Sequence, residues 1–150
     1  MAGFTLQQGM LAALQEAERA KAAGEVPIGA VLEYGGEILF RAANTCHANA
    51  HPLEHAECQL LRSACQQHPQ QAFRASTLYV TLEPCPMCMG AILHAHVGRL
   101  VFGAYNLKWG SCGTVVDLSQ CYPSETLEIY GGILETESSD LLTSFFGSLR

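Results

Sequence analysis

Positive charge is what this chain has least of. It carries 8 Lys and Arg against 14 Asp and Glu, a formal charge of −6 over 150 residues. Phosphate contacts need Lys and Arg, so this balance speaks against a general nucleic-acid binder. Long apolar runs are missing too. None approaches the roughly 18 residues of a membrane span, and no membrane partner is expected. The N-terminus, Met1-Ala2-Gly3-Phe4-Thr5-Leu6-Gln7-Gln8, has no basic stretch leading into an apolar one, so no signal peptide is expected. Neither a repeat nor a Pro/Gly/Ser-rich linker divides the chain, and residues 1–150 read as one domain. Seven cysteines are too few for a disulfide scaffold at this length, and the number is odd. The expected setting is therefore reducing and cytoplasmic, with any special cysteines serving metal or catalysis. Apolar residues, at 49%, are present in ordinary measure and suffice for a buried core.

The apolar pattern predicts alternating helices and strands. Residues Leu6 to Ala23 read as a helix, with Met10, Leu14, Ala17 and Lys21 on one face and Gly24 as a cap. Val26 to Glu33 reads as a buried strand, Gly35-Gly36 as a hairpin turn, and Glu37 to Ala43 as the returning strand. A polar loop, Asn44 to Pro52, leads to a helix expected from Leu53 to Gln66. Thr77 to Leu82 is a strand rich in β-branched and aromatic residues. A helix from Pro86 to His94, a strand over Arg99 to Gly103, an irregular stretch from Lys108 to Ser124 and a short strand over Leu127 to Tyr130 follow. Glu135 to Phe146 closes the chain as an amphipathic helix, its apolar positions including Leu141, Leu142, Phe145 and Phe146. Such alternation predicts a layered α/β domain.

Two short segments carry chemistry. One is His55-Ala56-Glu57 and the other Pro84-Cys85-Pro86-Met87-Cys88, both at the expected starts of helices. Tetrahedral zinc favours imidazole and thiolate, and a catalytic site supplies three ligands and leaves one position for water. His55, Cys85 and Cys88 make that count. Cys85 and Cys88 both face one point within the first turn of a helix, Pro86 fits the first helical position, and a helix N-terminus favours anionic thiolates. Glu57, two positions past the histidine, is a carboxylate beside the metal that can take a proton from a zinc-activated water and pass it on. Taken alone, Cys-x-x-Cys after a strand also fits a thioredoxin-like redox pair or half of a structural zinc site, but no second Cys-x-x-Cys completes four thiolates. The two segments together, in this order, form the pattern of zinc nucleobase deaminases. Cys58 and Cys65, seven apart on one helix, read as core packing. Cys46, Cys112 and Cys121 fall in expected loops and receive no role, His47 and His51 read as loop residues, and His94 and His96 read as helix-end residues.

At this point the sequence resembles the bacterial tRNA adenosine deaminase family, which converts the wobble adenosine of a tRNA anticodon to inosine. The likeness runs from about residue 10 to 146 through Glu25 to Val31, His55-Ala56-Glu57, Leu78 to Ile92, Val101-Phe102-Gly103-Ala104, Gly132-Ile133-Leu134 and Phe145-Phe146. The resemblance implies a three-layer α/β/α cytidine-deaminase-like fold with a mixed five-stranded sheet. It further implies a homodimer with one Zn2+ per subunit, and the anticodon loop of tRNA as partner. Asn44 matches the family asparagine that hydrogen-bonds the purine. The implied mechanism has Glu57 protonate N1 of adenine and relay the proton of the attacking water, with backbone N–H groups near Ala56 and Cys85 contacting the base.

The chain departs from the family in places that would touch RNA. His51-Pro52-Leu53-Glu54 stands where Asp-Pro-Thr-Ala is usual. Asn106 replaces a common Asp, with Lys108 kept, and Trp109 stands where a small residue is usual. The tail Gly147-Ser148-Leu149-Arg150 carries one positive charge where a basic tail is common. These changes, with the acidity, keep a competing expectation open: a salvage deaminase acting on a free base or nucleoside. The charge itself is unevenly spread. Residues 1–37 hold five acids and two bases (net −3), residues 38–108 three acids and five bases (net +2), and residues 109–150 six acids and one base (net −5). The segment bearing the motifs is thus mildly basic, which predicts a small RNA footprint with weak or strongly salt-sensitive binding.

Overall fold

The computed structural model describes residues 3–121 and 127–149; the end of the irregular 108–124 stretch and the charge of Arg150 lie outside them. The first helix, α1 (Leu6–Ala22), opens on a reciprocal cap. The Thr5 hydroxyl accepts from the Gln8 amide at 3.1 Å, and the Gln8 side chain accepts from the Thr5 amide at 2.8 Å. It ends as a Schellman turn, with the Gly24 amide on the Lys21 carbonyl and the Glu25 amide on the Ala20 carbonyl. Gly24 takes φ +80°, which glycine reaches without strain.

A five-stranded sheet follows, with strands β1 (Gly29–Tyr34), β2 (Glu37–Ala43), β3 (Thr77–Leu82), β4 (Arg99–Ala104) and β5 (Glu128–Tyr130) in the order β2-β1-β3-β4-β5. β1 runs antiparallel to β2 and β3, while β3, β4 and β5 are parallel, so the sheet is mixed as expected. Alternate residues serve opposite faces. Ala30, Leu32, Leu78, Val80, Leu100 and Phe102 join the core packed by α2 (Ala56–Gln67) and α3 (Pro86–His94). Val31, Tyr79 and Val101 join the smaller core under α1. There α1 comes so close that a Cβ on Gly9 would lie 2.2 Å from the Tyr79 ring, which is why glycine stands at this position. The closing helix α4 (Glu135–Ser148) packs on β4 and α1. Helices thus cover both faces, giving the three expected layers.

The structure corrects several boundaries. β1 begins at Gly29, not Val26, because Pro27 sits in a tight turn closed by the Ile28 amide on the Val26 carbonyl at 2.8 Å. α2 begins at Ala56, not Leu53, because residues 51–54 form a turn in which the Leu53 amide donates to His51 Nδ1 and the Glu54 amide to the His51 carbonyl. Short 3-10 turns at Gln70–Ala75 and Leu118–Cys121 were not anticipated. Phe145 is buried, but its neighbour Phe146 is 49% exposed, since only one of two adjacent residues faces the sheet. Among the described residues no helix is long and apolar enough to cross a membrane.

The topology places the motifs. β2 and β3 both run antiparallel to β1, so they point the same way and end at the same edge of the sheet. α2 follows β2 and α3 follows β3 on one face, which brings the two helix N-termini together at that edge. β4, parallel to β3, also ends there and delivers the loop of residues 105–116.

Candidate active site

The N-termini of α2 and α3 bring three ligand atoms into one place. His55 is the N-cap of α2 and Cys85 the N-cap of α3, both with extended backbones. Cys88 lies one turn into α3, fully buried. His55 Nδ1 is 3.7 Å from Cys85 Sγ and 3.5 Å from Cys88 Sγ, and all three atoms lie within 4.8 Å of one another. A tetrahedral zinc at about 2.0 Å from nitrogen and 2.3 Å from sulfur sets such N···S edges at roughly 3.5 Å, so the donor set fits the ion. Pro86 occupies the first turn of α3, where its missing N–H costs nothing.

The three groups shift one another through their mutual contacts and burial. The hydrogen bond with Cys88 pulls the Cys85 thiol down to about 4, with the contact to His55 helping against burial. The bond to Cys85 raises His55 above the usual imidazole value against the opposing effect of burial. Cys88 is pushed up, first by its bond to Cys58, then by its bond to Cys85 and by burial. A cation at the centre reverses that last preference, since zinc binds thiolate.

Glu57 stands at the second position of α2 and is only 4% exposed. Burial pushes its carboxyl up to about 7; its own backbone N–H and the Cys88 side chain offset part of that. Ala56, fully buried, links Glu57 to His55 as the first residue of α2. Asn44, 5% exposed, sits at the end of β2 with its amide N–H on the Ile28 carbonyl and its side-chain oxygen accepting from Cys46 Sγ at 3.4 Å. It starts the loop that ends at His55. His47 and His51 are exposed in that loop.

Four residues to which the sequence pattern gave no part in the site surround this arrangement. Glu25, buried at the end of the α1 turn, accepts from the amides of His47 and Ala48 at 3.1 and 2.6 Å. Gln59 Nε2 donates to the carbonyls of Ala43 and Glu54 and to the Thr45 hydroxyl, tying both ends of the 44–54 loop to α2. Glu83, 1% exposed, accepts from the amides of Asn106, Cys112 and Thr114 and from the Thr114 hydroxyl. It therefore anchors the 105–116 loop beside Cys85, helped by Ser111, whose amide and hydroxyl donate to the Pro84 carbonyl. The fourth is Cys58. It is half-buried against Cys88, with the two sulfurs 3.6 Å apart, rather than simple core packing, and Cys65 is exposed. The i, i+7 spacing marks a shared helix face but not what covers it.

A fold of three layers with a His/Cys/Cys centre and a buried carboxylate at two helix mouths defines a zinc-dependent deaminase. Residues 5–104 match the model of the cytidine and deoxycytidylate deaminase zinc-binding region. The tRNA-specific adenosine deaminase of Bacillus subtilis (strain 168) is 42% identical over 142 residues, covering 94% of this chain and 88% of that protein. That of Haemophilus influenzae is 41% identical over 140 residues, covering 92% and 81%. A solved structure from work on A-to-I editing by tRNA:A34 deaminases superposes with a TM-score of 0.82 at 38% identity, covering 89% of this chain and 98% of that one. The guanine deaminase of Nitrosomonas europaea, at 19% identity and a TM-score of 0.83 over 98% and 87% of the two chains, shares the fold. The chain belongs to the bacterial tRNA adenosine deaminase family. It is a zinc-binding deaminase.

Proposed function

We propose that this protein hydrolytically deaminates adenosine to inosine at the wobble position of a tRNA anticodon, as a cytoplasmic homodimer with one zinc per subunit. Residues 1–150 act as a single deaminase unit. His55, Cys85 and Cys88 hold the metal, which when bound supplies Lewis acidity that brings a water toward ionisation near neutral pH. Glu57 is the catalytic residue. Its carboxyl, buried and raised to about 7, takes a proton from the attacking water and delivers it to N1 of the purine, then takes the second proton from the hydroxyl added at C6 and gives it to the departing amine. Asn44 and the backbone N–H groups at Ala56 and Cys85 orient the base, a role consistent with the burial of Asn44 and Ala56 near the helix mouths. The observation that carries the chemistry is the buried Glu57 carboxyl at the helix mouth that also supplies His55 to a three-ligand centre.

The choice of tRNA over a free base rests on the 38–42% identity to tRNA adenosine deaminases, against 19% for the guanine deaminase, which carries the fold alone. The 105–116 loop supports it with an exposed Trp109 and the Lys108 ammonium 5.7 Å from its ring centroid, a pairing suited to unstacked bases and phosphate. An apolar groove between α2 and α3, lined by Leu61, Ala91 and Ala95, supports self-association. The low content of positive charge favours the salvage reading instead. The test is direct: incubate the zinc-loaded protein with an anticodon stem-loop bearing adenosine at the wobble position, and separately with guanine, cytosine, adenosine and cytidine. Inosine in the stem-loop alone is expected. Turnover of a free base or nucleoside with an unchanged stem-loop overturns the proposal.

A further inference from the structure

The mouths of α2 and α3 are built alike. Each helix has a ligand at its N-cap, His55 or Cys85, and a cysteine three positions on, Cys58 or Cys88. The two inner sulfurs touch at 3.6 Å, so the centre has a third thiol at hand. It is not a fourth ligand. A fourth zinc ligand must lie within roughly 4 Å of all three others, given metal–ligand lengths of about 2.0–2.3 Å. Among the described residues, the ligand atoms that stand within 4.8 Å of one another are those of His55, Cys85 and Cys88, and Cys58 is not in that group. Cys58 therefore backs one ligand and leaves the fourth position to water and substrate.

The direction of the contact follows from the metal. The two sulfurs are in contact, and as free thiols either can donate. When Cys88 binds zinc it does so as thiolate, without a proton to give, and Cys58 is left as the donor. We propose that Cys58 is a positioning residue of the metal centre, its thiol donating an S–H···S hydrogen bond to the Cys88 thiolate. The proposal rests on the ligand assignment above. The bond fixes the side-chain rotamer of Cys88 and draws charge from its sulfur. Cys58 lines the shallow groove between α2 and α3, beside Leu61, Arg62 and Ala91, and its sulfur meets Cys88 on the inner side. Outer-shell partners of this kind typically change metal affinity by 10–100-fold.

The experiment loads full-length wild type, C58A, C58V and C58S with Co2+ in place of zinc. It reads the thiolate-to-cobalt charge-transfer band and the rate of metal transfer to a chelator. C58A and C58V are expected to bind one ion per chain, shift the band and release the ion roughly tenfold faster. C58S retains a hydroxyl donor and is expected to restore most of both properties. The proposal is overturned if C58A and C58V match wild type, or if C58S behaves as they do, which would assign Cys58 to packing alone. The ligand assignment is read separately in H55A and C85A. If these bind Co2+ as wild type does, the assignment itself fails, and the proposal with it.

Discussion

Glu57 and Glu83 flank the ligand set symmetrically, one two residues after His55 and the other two residues before Cys85, and both are buried, at 4% and 1% exposure. Their surroundings differ. Glu83 accepts four hydrogen bonds from the loop after β4. Burial is the main influence on the Glu57 carboxyl and pushes it up to about 7, against its own backbone N–H, the charge of His55 and the Cys88 side chain. A buried carboxylate supplied with donors is a clamp, because charge and desolvation are compensated in place. A buried carboxyl short of donors gains and loses a proton near neutral pH, which is what proton transfer requires. On the proposed assignment, two glutamates in one site divide scaffold from chemistry by their donors, not by their burial.

Glu57→Gln gives the largest expected effect. It keeps the volume and removes the proton carrier, so deamination should fall by roughly 10³-fold while zinc stays at about one per chain by metal analysis. Retained turnover would place the chemistry elsewhere and dissolve the contrast. Glu83→Ala should act in the opposite sense. Leaving the four loop donors without their acceptor costs about 2–3 kcal/mol, because part of the loop can turn to water. The melting temperature should then fall by roughly 5–10 °C, readable by calorimetry, with zinc content unchanged. If Glu83→Ala melts as wild type does, Glu83 is no clamp.

The same contrast explains what could be read from the sequence. The meeting of His55, Cys85 and Cys88 was legible because zinc chemistry demands particular atoms at short, fixed spacing along the chain, and Glu57, the proposed proton carrier, lies buried two positions past His55 in sequence. The strands were legible because alternation is local: Leu78, Tyr79 and Val80 face in turn toward one core, the other, and the first again. Glu83 and Glu25 were not, since their partners are backbone amides 22–31 residues away, which every residue type except proline supplies. Cys58 was misread because its neighbour comes from another helix, 30 residues on. The early start assigned to α2 failed because His51 supplies a side-chain acceptor that turns the chain before the helix can form.

The loop that Glu83 holds offers finer tests, since a clamp matters to function only through what it presents. Trp109 is 57% exposed and its amide donates to Asn106 Oδ1 at 2.9 Å, so the indole is mounted on a fixed turn with its ring largely in water. Base stacking on such a ring contributes about 1–3 kcal/mol. Trp109→Ala should therefore raise KM for the stem-loop about tenfold, with kcat within roughly twofold and the melting temperature within about 2 °C, separating contact from scaffold. An unchanged KM would remove Trp109 from the RNA footprint.

Lys108→Ala is the smallest perturbation. Lys108 is the one basic residue between positions 100 and 149, so it has no neighbour in sequence to replace it. One ammonium on one phosphate releases one counterion's worth of salt dependence. The slope of log K against log salt for a single-stranded loop should accordingly become shallower by about 0.7. At low salt the affinity should drop a few-fold, and the two proteins should converge as salt rises. The slope is the informative quantity, because Trp109→Ala should weaken binding at every salt concentration and leave the slope unchanged. Should Lys108→Ala also leave the slope unchanged, the phosphate is met by another segment, and the loop clamped by Glu83 serves the base alone.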